Sequence, residues 1–276
     1  MPTYNLNVNT PGIVHRLNIA LTRARMMAVY GLTASNAFDG DLPADLPGES
    51  LPMRMQGEGG WDDADAKEQF HHWVLTNSLR DAVESIGTAF EEARTVSAIY
   101  ALVREEGKTT LADYHRQVIG RQTSYHRLGL PQKISRLENL TDGAVVPTWR
   151  EELLSINAAR NCLVHRNGRV GQKDCNNGNV LTVSWYRLGI VAIAPDGAEC
   201  EIGVGAVVEG GSKVAIKNLA ATRDFAIGER VAFGVDEFSQ ICGTLFFFGG
   251  DIVEKVRKYG EALGVPTGGS SEGAEE

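Results

Sequence analysis

The stretch RNCLVHRNG, residues 160–168, combines side chains that can do acid–base and phosphate chemistry. Arg160 is a permanent cation, and its planar guanidinium can bind a phosphate through two hydrogen bonds. His165 is of the side-chain type whose charge changes near neutral pH, as a general acid or base requires. Asn161 adds an amide that can orient the imidazole or the phosphate. Together the three residues would suit a reaction at a phosphate group.

Helical geometry limits how these side chains can meet. Asn161 and His165 are four positions apart and share one face of a helix. Arg160 and His165 are five apart, which places them roughly 140° apart around the axis. A single helix therefore cannot easily bring both onto one ligand. Either the helix unwinds at its end, or a second copy of the chain contributes one of the two across a two-fold axis.

The same residues also have an interpretation without catalysis. Basic side chains in the last turn of a helix compensate its dipole. In a chain with 27 Lys and Arg residues and 6 His, roughly one Arg–His pair at such a spacing arises by chance. A second pair does occur, at Arg121 and His126, and we interpret it as surface. Spacing alone does not separate the two interpretations.

A capped helix is predicted to position the stretch. Thr148 is the predicted N-cap, with Glu151 three residues later completing a capping box. Asn167-Gly168 is the predicted C-terminal stop. Apolar residues at helical spacing predict further helices around it, over residues 11–37, from Asp62 to about Arg104, from about 110 to Tyr125, over 131–140 and from Val235 to Leu263.

The pattern changes between the last two helices. Residues 180–195, 200–208 and 213–220 are β-branched and interrupted by glycines, which predicts three or more short antiparallel strands. Residues 228–233 are either one more strand or an ordered lead-in to the last helix. The predicted fold is mainly α, an antiparallel helical bundle with a small antiparallel β insertion before the last helix.

Three regions are expected along the chain. Residues 1–61 hold the first helix and a Pro/Gly-rich acidic loop, whose composition does not suit regular structure. Residues 62–264 form the helical domain, with its β-rich insertion at about 180–225. Residues 265–276 are a low-complexity tail that we expect to be disordered.

Composition excludes several classes of protein. The net charge of −8 over 276 residues argues against a surface covered in positive potential for long nucleic acids. The 4 cysteines form no CxxC pair, which disfavours zinc and redox motifs. No apolar run reaches the roughly 18 residues of a membrane helix, and no export signal is evident. We therefore expect a cytoplasmic protein with no membrane partner.

The order of residues in RNCLVHRNG resembles the ribonuclease motif of the HEPN superfamily. In that family an Arg, four to six residues and a His form the motif, Asn commonly follows the Arg, and a small polar or Gly turn often follows the His. Arg160, Asn161 and His165 match these positions one for one. Arg121 and His126 do not match, because a Gln follows that Arg and no apolar Leu-Val pair precedes that His.

The resemblance, which extends over roughly 62–170 and 226–264, implies a metal-independent endoribonuclease without a cofactor. It also implies a homodimer with both motifs in one cleft. His165 would act on the ribose 2′-hydroxyl or the leaving 5′-oxygen, Arg160 would hold the scissile phosphate, and Asn161 would orient one of them. The products would be a 2′,3′-cyclic phosphate and a 5′-hydroxyl, so DNA would be spared.

Three basic residues follow the motif closely: Arg166, Arg169 and Lys173. They are candidate RNA contacts beside the cleft, or part of a solvated turn. One subgroup of the family is regulated by modification of a Tyr two residues after the His. Asn167 occupies that position here, so that regulation is not expected.

The family resemblance leaves more than one function open. Family members often act as toxins or antiphage effectors that cut host RNA, some of them controlled by an antitoxin or a sensor protein. Others have lost activity and are scaffolds that bind RNA, a nucleotide or a partner protein. The intact Arg160, Asn161 and His165 favour the ribonuclease. A third alternative is an unrelated α+β protein in which the motif is coincidental.

Other candidate sites are weaker. His71 and His72 lie near three aspartates, but adjacent helical residues point about 100° apart and chelate poorly, so no metal site is predicted. The Gly-rich residues 203–213 lack the spacing of a phosphate-binding loop. The four tryptophans are predicted to be core or interface aromatics rather than base-stacking platforms; these are Trp61, Trp73, Trp149 and Trp185.

Overall fold

The computed structural model describes residues 8–37, 63–106, 111–203, 205–208 and 210–265. The expected acidic loop and all but the first residue of the expected tail lie outside these residues. The elements in chain order are α1 (Thr10–Ala37), α2 (Asp63–Glu106), α3 (Leu111–Tyr114), a π-helical turn (His115–Ile119), α4 (Gly120–His126), α5 (Leu130–Leu140), α6 (Arg150–His165), β1 (Val180–Ile193), β2 (Glu199–Glu201), β3 (Lys213–Ala226) and α7 (Val235–Ala262).

Helices α1 and α2 pack side by side in opposite directions. Near the start of α1, Arg16 pairs with Glu92 at 2.8 Å. Near its end, Gly31 lies so close to Val74 that an added Cβ would be 2.8 Å from a methyl group. The apolar stripe of α1 is buried along its length, because residues three and four apart fall on one face of the helix.

Helix α7 completes the main core against α1 and α2. Phe90 of α2 and Phe248 of α7 are 1% exposed, with ring centroids 5.6 Å apart, and burying each stabilises the fold by about 1.5–3 kcal/mol. Gly249 faces α1 so closely that a Cβ there would lie 2.0 Å from Leu17 Cδ2. The absence of a side chain at Gly249 therefore sets the distance between α1 and α7.

The predicted capping box at the start of α6 is wrong. Trp149 occupies the N-cap position and makes no side-chain cap. The backbone N–H and the hydroxyl of Thr148 both donate to the carboxylate of Asp251 on α7, each at 2.9 Å. A carboxylate accepts these bonds more strongly than a neutral group would. The start of α6 is therefore tied to α7 instead of being capped from within.

The strands form an antiparallel sheet in the order β2-β1-β3. Strands β1 and β3 pair over their whole length, from Val180 opposite Ala226 to Ile193 opposite Lys213. The prediction for 213–220 is thus too short by six residues, since β3 ends at Ala226.

The second predicted strand is largely wrong. Pairing of β2 ends at Glu201, and all three of its residues are exposed. Further along, Val207 is 94% exposed, so this part of 200–208 has no core surface to face. Residues 228–233 are the ordered lead-in rather than a full strand, with one bridge between Arg169 and Arg230.

The sheet is attached to the helices through backbone groups of β1. The N–H of Ser184 donates to Ser155 Oγ of α6 at 2.9 Å. The N–H of Tyr186 donates to Thr244 Oγ1 of α7, also at 2.9 Å. The coarse fold prediction is confirmed: the described chain is mainly helical, with a small antiparallel sheet between α6 and α7. Within the described residues, no helix is both long and apolar enough to span a membrane.

Candidate functional site

The motif occupies the last turns of α6, and the predicted helix stop is confirmed. The helix ends at His165. Asn167 and Gly168 follow with φ values of +51° and +72°, a left-handed pair that glycine and asparagine adopt most readily. The N–H groups of Arg166 and Gly168 both donate to the carbonyl of Cys162, at 3.0 and 3.1 Å. These bonds satisfy a carbonyl that the helix end would otherwise leave free.

His165 is exposed and lines an open groove of about 800 Å³ between the end of α6 and the first half of α2. The α6 side of the groove carries Leu163, Val164, His165 and Asn167. The α2 side carries Ala66, Gln69, Phe70, His72, Trp73 and Thr76. The imidazole is therefore accessible beside a concave surface of the size that binds small ligands.

Arg160 and Asn161 meet each other on the side of α6 that faces α2. Arg160 Nη1 donates to Asn161 Oδ1 at 3.0 Å, and Nη2 donates to Glu84 Oε1 at 3.0 Å. The Arg160 side chain is 20% exposed, and its buried Nε has no hydrogen-bond partner. Neither residue lines the groove that holds His165. Within one chain the structure thus joins Arg160 to Asn161 but does not place either of them in the groove.

Arg166 turns inward after the helix ends. Its guanidinium donates through Nε and Nη2 to the two carboxylate oxygens of Asp174, which is 3% exposed. The same carboxylate accepts the N–H of Gly171 at 2.9 Å. Hydrogen bonding to Asp174 raises the pKa of Arg166 above its ordinary value. We call this cluster of Arg166, Gly171 and Asp174 the latch, because it holds the chain that leaves the motif.

The other two candidate RNA contacts lie at the surface. Arg169 is exposed and Nη1 donates to the Gly228 carbonyl at 3.3 Å. Lys173 is exposed in the turn that the latch closes. The prediction that these residues contact RNA stays a prediction, and the guanidinium of Arg166 is already engaged by Asp174.

His72 is a groove residue whose position was not foreseen. A Cβ on Gly168 would lie 2.7 Å from His72 Nε2, so the ring packs against the turn that ends α6. That nitrogen is buried without a hydrogen-bond partner. Burial, and then the charge of Arg230, lower the pKa of His72, while burial and then Lys67 lower that of His71. Both shifts favour the neutral form of the rings.

Helical spacing could have pointed to the α2 wall of the groove. Gln69, His72, Trp73 and Thr76 are at positions i, i+3, i+4 and i+7, which share one face of a helix. Nothing in that spacing says that the face meets the end of α6. No group of three or more His, Cys, Asp or Glu in the described part of the chain could hold a metal ion.

The tryptophans differ in their surroundings. Trp185 is 3% exposed and belongs to the core, and Trp149 packs at its edge. Trp73 is 62% exposed, so it is not a core residue, and its role at an interface stays a prediction. Trp61 lies outside the described residues. In the second Arg–His pair, His126 is at the surface, with Nδ1 3.0 Å from a carboxylate oxygen of Glu91.

Comparisons with family models, with curated proteins and with solved structures find no match for this chain. The function is therefore inferred from the motif and the groove themselves.

Proposed function

We propose that this protein is a metal-independent endoribonuclease of the HEPN type that acts as a homodimer. The observation that carries the proposal is the exposed His165 at the end of α6, in a groove, with Arg160 and Asn161 paired one and a half turns earlier on the same helix. An imidazole and a guanidinium that meet at one phosphate suit acid–base chemistry there. The mainly helical fold with its β insertion is compatible with a HEPN-like bundle.

The reaction follows from the two side chains. His165 removes the proton of a ribose 2′-hydroxyl, and the 2′-oxygen attacks the neighbouring phosphorus. The bond to the 5′-oxygen breaks, that oxygen takes a proton from water, and the imidazolium of His165 gives its proton back to solvent. Arg160 stabilises the charge that develops on the phosphoryl oxygens. The products are a 2′,3′-cyclic phosphate and a 5′-hydroxyl, and no metal or cofactor takes part.

Arg160 can reach a phosphate by exchanging one partner. Its salt bridge to Glu84 involves a carboxylate that is 57% exposed, so water can solvate Glu84 when the guanidinium turns to a phosphate. A phosphodiester offers the same bidentate geometry. The pair to Asn161 holds the guanidinium in place while the exchange occurs.

A second copy would complete the site. Arg160 and His165 are about 7.5 Å apart along the helix axis and point to different places, one to Glu84 and one into the groove. An exposed apolar face on α1 is available for a dimer contact; it includes Ile19, Met26, Met27 and Tyr30, each at least 46% exposed. For the site to be shared, the two-fold axis of the dimer must also bring Arg160 of one copy beside His165 of the other.

The biological setting follows the resemblance. We propose a cytoplasmic toxin or antiphage effector that cuts RNA, under the control of an antitoxin or a sensor protein. The alternative is a non-catalytic scaffold that binds RNA, a nucleotide or a partner protein. One observation favours the alternative: the guanidinium groups of Arg160 and Arg166 are both engaged by carboxylates of their own chain.

Cleavage of single-stranded RNA in the presence of EDTA tests the proposal. We expect the wild type to produce 2′,3′-cyclic phosphate ends, and His165→Ala and Arg160→Ala to lose activity. His126→Ala, in the second Arg–His pair, is the matched control and should keep it. No cleavage by the wild type, or full activity of both motif variants, would refute the ribonuclease.

Mixing the two inactive variants tests the shared site. In a composite dimer, a heterodimer of Arg160→Ala and His165→Ala retains one intact pair of residues. An equal mixture that exchanges subunits freely should recover about a quarter of the wild-type activity. A monomer at micromolar concentration by light scattering would contradict the shared site.

A further inference from the structure

The groove beside His165 has an aromatic wall. Phe70 and Trp73 lie on the face of α2 that lines it, with ring centroids 6.3 Å apart and planes inclined by 21°. Phe70 is 43% exposed and Trp73 is 62% exposed. A contiguous exposed aromatic patch often marks the site at which a ligand or a partner binds. Because most of the Trp73 side chain is exposed, a planar ligand can stack on the part of its ring that Phe70 leaves open.

Polar groups lie within the same groove. Gln69 and Asn167 bring side-chain amides, which can donate to and accept from the edge of a nucleobase. Thr76 Oγ1 is buried and has no hydrogen-bond partner. A buried hydroxyl without a partner is costly unless a ligand or water completes it. The groove therefore combines a stacking surface with groups that can recognise a base.

Positive charge flanks this end of α2. Lys67 and Arg230 are close enough to act on the rings of His71 and His72. Arg230 also forms a salt bridge with Glu68. Arg169, on the α6 side, is exposed beyond the turn. Arg169 therefore adds a positive charge near the end of α6, the side of the groove on which His165 lies.

We propose that the groove is the base-binding subsite for an unpaired nucleotide of RNA, with its base stacked on Trp73 and its phosphate beside His165. This inference rests on the proposed ribonuclease function and names the substrate of that site as single-stranded. Trp73 takes the base-stacking role that the sequence did not predict for the tryptophans.

The requirement for an unpaired base follows from geometry. In an A-form duplex the bases are stacked on their neighbours, and only their edges are accessible in the grooves. A face-on contact with Trp73 needs a base that has left the stack. The open groove, about 800 Å³ in volume, falls within the roughly 300–1,000 Å³ of typical ligand pockets.

Binding of a labelled 2′-O-methyl hexaribonucleotide, measured by fluorescence anisotropy, tests the inference. The 2′-O-methyl group blocks cleavage, so binding is measured without activity. We expect Trp73→Ala to weaken binding roughly ten- to hundredfold, as loss of one base–aromatic stack does. Trp73→Phe keeps a stacking ring and should stay within a few fold of the wild type. Ile216→Ala, at a 73% exposed apolar residue on β3, is the matched control and should bind normally.

The results for binding, oligomeric state and cleavage test the subsite and the ribonuclease separately. The subsite is supported if the wild type binds the hexamer more tightly than a fully paired 2′-O-methyl duplex, and if Trp73→Ala weakens hexamer binding while Trp73→Phe and Ile216→Ala do not. Equal binding by Trp73→Ala and the wild type would overturn it, as would no binding by the wild type. If light scattering shows that Trp73→Ala converts a dimer to a monomer, Trp73 belongs to the contact between copies and the subsite is refuted. Trp73-dependent binding without cleavage of unmodified RNA would refute the ribonuclease and leave the subsite standing.

Discussion

Asp174→Asn should destabilise the protein, because it removes the charge at the centre of the latch. Asp174 is 3% exposed, and its carboxylate accepts hydrogen bonds from Nε and Nη2 of Arg166 and from the N–H of Gly171. Asparagine has nearly the same shape but is neutral, and its amide N–H₂ would face one of these donors. The change therefore leaves a cation without its partner and a donor facing a donor.

The magnitude can be worked from the burial of the two partners. Removing one member of a buried ion pair costs about 3–5 kcal/mol. The Arg166 side chain is 34% exposed, so water solvates part of the charge that is left. We therefore expect a loss of about 2–3 kcal/mol, which corresponds to a fall in Tm of roughly 4–12 °C for a domain of this size.

Urea unfolding followed by circular dichroism measures this loss, and Glu201→Gln is the matched control. Glu201 also accepts hydrogen bonds from two nitrogens of one arginine, Arg187, but the Glu201 side chain is 45% exposed. We expect its unfolding midpoint to equal that of the wild type. If Asp174→Asn shifts the midpoint no more than Glu201→Gln does, the latch does not hold the chain after the motif.

Three further expectations concern the turn after α6, the close contact between α1 and α7, and the pH dependence of stability. Gly168→Ala should lower the free energy of unfolding by about 1–3 kcal/mol more than Gly178→Ala does, because both glycines have positive φ but only at Gly168 would a Cβ meet a ring, His72, at 2.7 Å. Equal urea midpoints of the two variants would contradict this. Gly249→Ala should lower the Tm because its Cβ would lie 2.0 Å from a core leucine. The Cβ of Gly250→Ala meets no atom within 4 Å, so that variant should gain up to about 1 kcal/mol of stability. A higher Tm for both variants would be inconsistent with the close approach of α1 and α7 at Gly249. Burial lowers the pKa of His72 below the 6.5 of an exposed histidine, so as the pH falls below 6.5 the unfolded chain takes up the proton first and stability decreases; His72→Gln should flatten this decrease between pH 7 and 5, and an unchanged slope would count against it.

Local patterns in the sequence were sufficient to place most of the elements. The buried positions of α1 recur at threes and fours, and the left-handed Asn167-Gly168 ends α6 as its residue types predict. The motif itself was found from the order of residues in one helix. These features depend on residues a few positions apart, and their physics is local.

Contacts between distant parts of the chain were decided by the tertiary structure alone. Thr148 bonds Asp251, 103 residues away, in place of its predicted local cap. His72 and Trp73 became groove residues only because α2 runs past the end of α6. Arg166 was a candidate for RNA until the fold placed a buried carboxylate beside it. The sequence determined which side chains could do chemistry, and packing decided which of them remain accessible, because burial and pairing depend on neighbours that spacing along one helix does not specify.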